Sequence, residues 1–364
     1  MQIVYFPYLK LGKTEEIRFG DIVVWNFGAK KNKYILDKEI RNMVEQLVSS
    51  NYIGKKMVKD AGIVSIGETD FRQFDETEIK LINDLKLILF LSFSAKNNVL
   101  KQDANSGLFM ATSENFEPVY QNFKRGMTTF SEKTGYVVEK TVSGLEIGKE
   151  KFEAPRCLLT PFRFEIDEEF KSSLFWLKKK QKRLFEQIMR ATNLFFESFY
   201  NTHQLNKNAR ILLQVGAFET LLDFKNRKEF KDKIEKYACG SNEKKRRYYY
   251  EKVPGKNKEL EYRTLNGIWA DKFYTLRNHI IHGQNIKPKE FLFKNKQRHT
   301  DIAILFFLLC IKRLINEKKR ERLFFDEIKW EKWDDGMGNA QDGFVYDINV
   351  FGKAFADVCK RLNG

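Results

Sequence analysis

The chain has 364 residues, 42% hydrophobic and 31% charged, with 65 Lys and Arg against 49 Asp and Glu for a net charge of +16. This composition excludes a disordered or fibrous chain and leaves length for two domains with cores of their own. The longest apolar runs, Leu85 to Phe93 and Ile302 to Ile311, fall short of the roughly 20 residues that a membrane span needs. No basic stretch leading into a long apolar run opens the chain, so a soluble cytoplasmic protein without membrane contact is expected.

The charge is unevenly placed. Residues 156–364 hold 43 Lys and Arg against 28 Asp and Glu, whereas the first 155 hold 22 against 21. A basic face draws polyanions and releases counterions on binding, which fits nucleic acid; a solvated lysine-rich surface is the plainer reading of the same numbers. Four cysteines, Cys157, Cys239, Cys310 and Cys359, are too dispersed for a zinc pattern or a compact disulfide framework. Neither metal nor cofactor is expected.

Residues 1–155 have the pattern of a mixed α/β domain. Ile3 to Phe6 and Asp21 to Phe27 have strand composition, with Gly12, Gly20 and Gly28 marking turns. Ile40, Met43, Val44 and Leu47 make a helical stripe, and Ile63 to Ile66 a short strand. Asp75-Glu76-Thr77-Glu78 places acid at the positive end of a helix carrying Ile79, Ile82, Leu85 and Leu89. Further strands are expected at Leu108 to Thr112 and Tyr136 to Lys140. This half contains no histidine and no cluster of catalytic types, which suits a regulatory, sensing or assembly role.

Pro155 and Pro161 bracket the expected boundary, since proline continues neither a helix nor a sheet ladder. Beyond it the pattern turns helical. Residues 172–200 carry Leu174, Leu177, Leu184, Ile188, Phe195 and Phe199, with a basic run from Lys178 to Arg183. A helix near 206–224 places Ile211, Val215, Phe218 and Leu222 on one side, with Glu219 beside the stripe. Then Lys244, Lys245, Arg246 and Arg247 run into Tyr248, Tyr249 and Tyr250. Cations beside aromatic rings are what single-stranded RNA binding uses, and a surface insertion whose tyrosines pack back is the alternative.

The densest chemistry lies at Leu276-Arg277-Asn278-His279-Ile280-Ile281-His282-Gly283, the end of a helix that Gly283 stops. An imidazole can move the proton of a ribose 2′-hydroxyl, and a guanidinium can hold the phosphate as charge builds on its oxygens. Asn278 and His282 are four apart and share a face, whereas Arg277 and His282 are five apart, about 140° round the helix. Arg277 and His282 can converge at the helix end or across a two-fold axis between two copies. His279 and His282 are three apart, with no nearby ligand to complete a metal site.

Arg277, Asn278, three residues, then His282 and Gly283 resembles the Arg-polar-x3-His motif of the HEPN superfamily. Phe273 to Leu276 is similar to the aromatic lead-in of that motif, and Ile211 to Leu222 with Glu219 to the preceding core helix. The resemblance covers roughly residues 172–320. It implies an all-α bundle over 156–364, a homodimer, and metal-independent cleavage of RNA to 2′,3′-cyclic phosphate ends. Arg277, Asn278 and His282 are then the catalytic candidates, with Glu219 and His279 in support and Lys244 to Tyr249 as RNA contacts. It further implies a toxin or abortive-infection effector, restrained by an antitoxin or a trigger-binding partner. A HEPN-like module that binds RNA or protein without cutting, and a scaffold whose basicity serves DNA, remain as alternatives.

After the motif, Ile302 to Ile315 is apolar nearly all round, as for a central bundle helix or a dimer surface. The segment from Trp330, with Asp334 and Asp335, is acidic on balance.

Overall fold

The computed structural model describes residues 2–9, 11, 16–28, 38–53, 56–66, 72–96, 113–122, 128–133, 136–141, 152–153, 166–200, 205–238, 245–251, 258–293 and 298–319. Helices and antiparallel sheet are both present, making an α+β chain. Two compact units divide it, the first giving way to the second between Asp167 and Glu168, with Tyr200 returning to the first. The boundary expected at 155/156, the strand at Leu108 to Thr112 and the acidic segment from Trp330 lie outside the described residues.

The first unit contains strands β1 (Gln2–Phe6), β2 (Glu16–Phe19) and β3 (Ile22–Asn26), then helix α1 (Lys38–Ser49). Strands β4 (Asn51–Ile53), β5 (Lys56–Met57) and β6 (Gly62–Ile66) precede helix α2 (Glu76–Lys96). Strands β7 (Val119–Asn122), β8 (Thr128–Lys133), β9 (Tyr136–Thr141) and β10 (Phe152–Glu153) complete it. Seven of them form an antiparallel sheet in the order β2-β3-β6-β1-β7-β8-β9. The β2–β3 hairpin turns at Gly20, whose φ of +63° is a conformation that glycine adopts without penalty.

Val44, Leu47 and Val48 of α1 share a core with Ile3, Tyr5, Val23, Trp25 and Ile63, the odd-numbered face of the central strands. Val4, Phe6, Val24 and Val64 on the other face are buried too, and α2 lies against β3. Helix α2 begins where the acidic run predicts. Glu78 N–H donates to Asp75 Oδ1 at 2.9 Å and Asp75 N–H donates back to Glu78 Oε2 at 2.9 Å, a reciprocal cap.

The second unit contains α3 (Glu168–Lys180), α4 (Lys182–Glu197), α5 (Lys207–Leu222) and α6 (Arg227–Ala238). A two-stranded hairpin follows, β11 (Arg246–Glu251) and β12 (Lys258–Arg263), then α7 (Leu265–Ile281) and α8 (His299–Lys319). The hairpin corrects the expectation of an all-α second half. The helical stretch at 172–200 is divided between two helices, interrupted at Gln181 in the middle of the basic run. The break leaves Lys178, Lys179 and Lys180 in the last turn of α3, where the negative end of the helix dipole favours cations.

Four helices meet at Phe218 of α5. Its ring lies edge-on to Phe195 of α4 at 6.1 Å, Phe307 of α8 at 5.6 Å and Trp269 of α7 at 6.0 Å. The apolar helix α8 is thus a core helix, buried along Ile302 to Leu308. At its start His299 is buried, stacked on Phe273 at 5.6 Å and 14°. Burial pushes its pKa from 6.5 down to about 3, and the charge of Lys272 adds to the shift.

Unfolded His299 takes up a proton near pH 6.5 and folded His299 only near pH 3, so stability falls as pH drops below 6.5. The loss from this group is at most about 1.4 kcal/mol per pH unit. Between pH 7 and pH 5, wild type should therefore lose about 1 to 2 kcal/mol more unfolding free energy than His299→Phe in urea titrations; equal losses would show that the buried imidazole does not matter.

Candidate active site

The motif sits at the C-terminal end of α7, and both ends of that helix are fixed locally. Thr264 caps the start, its Oγ1 accepting from Gly267 N–H at 3.1 Å, while Thr264 N–H donates to Glu235 Oε1 of α6 at 2.8 Å. A Cβ at Gly267 would lie 2.4 Å from that Glu235 oxygen, so glycine admits the carboxylate. At the other end Gly283 takes φ +63°, letting Gly283 N–H bond Ile280 O at 3.1 Å and Gln284 N–H bond His279 O at 2.9 Å. This pair of bonds closes the helix on a left-handed glycine and leaves His282 as its capping residue.

The helix has two contrasting faces. Trp269, Phe273 and Leu276 are buried in the aromatic core, with Ile280 half-buried. Roughly opposite runs a polar stripe, Asp271, Thr275, Asn278 and His282, at spacings of four, three and four. Asp271 is fully buried, Thr275 and Asn278 are half-buried, and His282 is exposed. The stripe therefore emerges from the protein toward the helix end.

Asn278 holds Arg277. Its Oδ1 accepts from Arg277 Nη1 at 3.0 Å, and the guanidinium lies 5.3 Å from the Tyr274 ring centroid. No hydrogen bond joins Arg277 to His282 among the described residues. Glu219 is exposed on α5, and its side chain bonds neither residue. His279 Nδ1 lies 3.3 Å from Glu290 Oε2, a contact that ties the helix end to the turn Pro288–Phe291 that follows. The same carboxylate also caps that turn, Oε1 accepting from Lys287 N–H at 3.0 Å.

The tyrosine-rich run is divided by the hairpin. Tyr248 points inward and donates its hydroxyl to Asp271 Oδ2 at 2.9 Å, so its grouping with the surface RNA contacts is corrected. Burial and the neighbouring Asp271 carboxylate both raise its pKa. Tyr249, Arg247 and Lys245 are exposed. Lys244 and the side chain of Arg246 lie outside the described residues.

Asp271 is the hub of a polar network not foreseen in the sequence. Arg227 of α6 grips it with Nε at 2.8 Å and Nη2 at 2.5 Å, and the buried ammonium of Lys231 lies 3.3 Å away. Lys231 also donates to Glu261 of β12 at 2.6 Å. Arg263 joins that strand to α6 through Asp232 at 2.5 Å and Glu235 at 2.8 Å. Burial works against the Arg263 charge, but its bonds to Glu261, Asp232 and Glu235 outweigh it and raise its pKa. Burial likewise opposes ionisation of Glu261, and the pairing with Arg263 and Lys231 overcomes it, leaving the pKa lowered. The available signal was an aspartate directly after the apolar Ile268-Trp269-Ala270 and two residues before Phe273.

Among the described residues no group of three or more His, Cys, Asp or Glu side chains is placed to hold a metal, and no helix is long and apolar enough to cross a membrane. Comparison of the chain with family models, characterised proteins and solved structures gives no match.

Replacing Asp271 by Asn keeps the shape and removes the carboxylate charge that half-buried Arg227 and buried Lys231 share. Asp271→Asn should cost about 3 to 5 kcal/mol of stability, whereas Tyr248→Phe, which removes one hydroxyl bond to a charged group, should cost about 1.5 kcal/mol. Chemical denaturation checks both, and an Asp271→Asn protein as stable as wild type would remove Asp271 as the hub.

Proposed function

We propose that this chain is a HEPN-type endoribonuclease that cleaves single-stranded RNA without a metal, acting as a homodimer in the cytoplasm. The observation that carries the reading is the emergent end of α7, where exposed His282 caps the helix and Asn278 holds the Arg277 guanidinium at 3.0 Å. The resemblance of this motif to the HEPN pattern supplies the reaction class. The bundle over 156–364 is accordingly taken as HEPN-like.

In this mechanism the neutral His282 imidazole accepts the proton of a ribose 2′-hydroxyl as its oxygen attacks the adjacent phosphorus. The bond from phosphorus to the 5′-oxygen breaks, and that oxygen takes a proton from an imidazolium, either His282 or its copy in the partner. The products are a 2′,3′-cyclic phosphate and a 5′-hydroxyl. Arg277 stabilises the negative charge on the non-bridging oxygens, and Asn278 is the positioning residue that aims it. Because Arg277 and His282 leave the helix about 140° apart, pairing two copies is the direct way to bring a guanidinium beside an imidazole.

Such an activity destroys the RNA of its own cell, so the reading extends to a toxin or abortive-infection effector. Its first unit then reads a trigger or binds an antitoxin. A second reading, a module that binds RNA or protein without cutting, is favoured by Arg277 being engaged with Asn278 and Tyr274 and not with His282.

Labelled single-stranded RNA incubated with the protein in EDTA separates the two. Cleavage to cyclic-phosphate ends is expected, with His282→Ala and Arg277→Ala each at least about 100-fold slower. Binding without products, together with unimpaired growth of cells expressing the wild type, would establish the non-cutting module in its place.

A further inference from the structure

The β11–β12 hairpin has two faces with different fates. On the inner face Tyr248 and Tyr250 stack at 6.4 Å and 12°, with Lys231 4.4 Å from the Tyr250 ring, and Glu261 and Arg263 are consumed in the network below. The outer face presents Arg247, Tyr249, Leu260 and Tyr262. Tyr249 is 58% exposed, Tyr262 55% and Leu260 46%. Large side chains this open on a strongly anchored hairpin are unexplained by folding, because the inner face alone ties the hairpin down.

We propose that this outer face is a stacking platform for two successive bases of single-stranded RNA, with Tyr249 and Tyr262 beneath the bases and Arg247 on the phosphate between them. The proposal rests on the ribonuclease reading for the identity of the polymer. Register places Arg247 opposite Tyr262 and Tyr249 opposite Leu260, so the two tyrosines are diagonal neighbours. Such positions lie about 7 to 8 Å apart, within reach of consecutive unstacked bases of one strand.

Charge selects a polyanion over a protein partner. Residues 245–263 carry seven Lys and Arg against three Glu, and the charged side chain described on the outer face is the Arg247 guanidinium. The inner network holds the platform rigid before anything binds, so little ordering entropy is lost on association. Strand β12 runs through Thr264 directly into α7, and from Leu265 to His282 the helix rises about 25 Å. RNA seated on the tyrosines and continued along α7 reaches the motif end.

The test is fluorescence anisotropy of a labelled 12-nucleotide oligoadenylate with the full chain, all proteins carrying His282→Ala so that RNA stays intact. Stacking is worth about 1 to 3 kcal/mol per base, so Tyr249→Ala with Tyr262→Ala should weaken binding about 30-fold or more. Tyr249→Phe with Tyr262→Phe, which keeps both rings, should stay within about twofold, and thermal melts should be unchanged in both. An alanine pair that binds as the parent does, a parent that binds no RNA, or an alanine pair that alters only sedimentation would each overturn the platform; the last would mark a protein contact surface. With His282 restored, ring-dependent binding by a chain that never cleaves would sink the nuclease and keep the platform. Cleavage indifferent to the rings would do the reverse.

Discussion

A buried carboxylate fixes the second unit. Taking Asp271 out of water costs several kcal/mol unless its charge is answered, and Arg227, Lys231 and the Tyr248 hydroxyl all answer it. These partners come from α6 and β11, so one side chain of α7 is bound to two other elements. Turning α7 by a single residue, about 100°, would swing Asp271 away from Arg227, Lys231 and Tyr248. The azimuth of the helix is thereby set, and with it the direction in which Asn278 and His282 emerge two and three turns later. The rest of the polar stripe inherits its orientation from this one charge.

How far the sequence revealed this differs from element to element. The apolar stripe Ile211, Val215, Phe218 and Leu222 and the stop at Gly283 are local signals, and α5 and α7 follow them. The hairpin was hidden because strands are recognised by apolar and polar residues alternating. In Arg246 to Glu251 the inner face is built from tyrosine hydroxyls over ion pairs, and the outer face carries exposed rings. Neither face looks like a core. Tyr248 and Asp271 meet across 23 residues, a relation that no periodicity encodes. In the candidate site, the residue types and the helix end were legible, whereas the Asn278 grip on Arg277 and the pairing of His279 with Glu290 depend on side-chain rotamers and on the following turn.

The network also changes what the net charge means. Much of the excess basicity of residues 156–364 invites a reading as surface field, yet Arg227, Lys231 and Arg263 are committed to Asp271, Glu261, Asp232 and Glu235 inside the unit. Their matching carboxylates are committed too, so the imbalance survives at the surface. Lys245 and Arg247 on the hairpin, and Lys287 and Lys289 just after the motif, are exposed cations at the two ends of α7. A polyanion lying along the helix would meet positive charge at both ends, with screening limiting each to about 8 to 10 Å at physiological salt.

The hold on Arg277 is weak in a way that suits a phosphate ligand. Its hydrogen bond to the neutral Asn278 amide is worth about 1.5 kcal/mol and its contact with the Tyr274 ring about 0.5 to 1 kcal/mol. A charge-assisted, two-pronged contact with a phosphodiester is stronger than either. On the proposed ribonuclease reading, the guanidinium is parked against its own helix in the free chain and would be released at small cost to a phosphate. Asn278 would then act before the substrate binds, by restricting where the arginine waits. His282, without such a tether, depends on Gly283 for its place: the left-handed glycine ends the helix there and turns the chain away, leaving the imbalance of faces that exposes the imidazole.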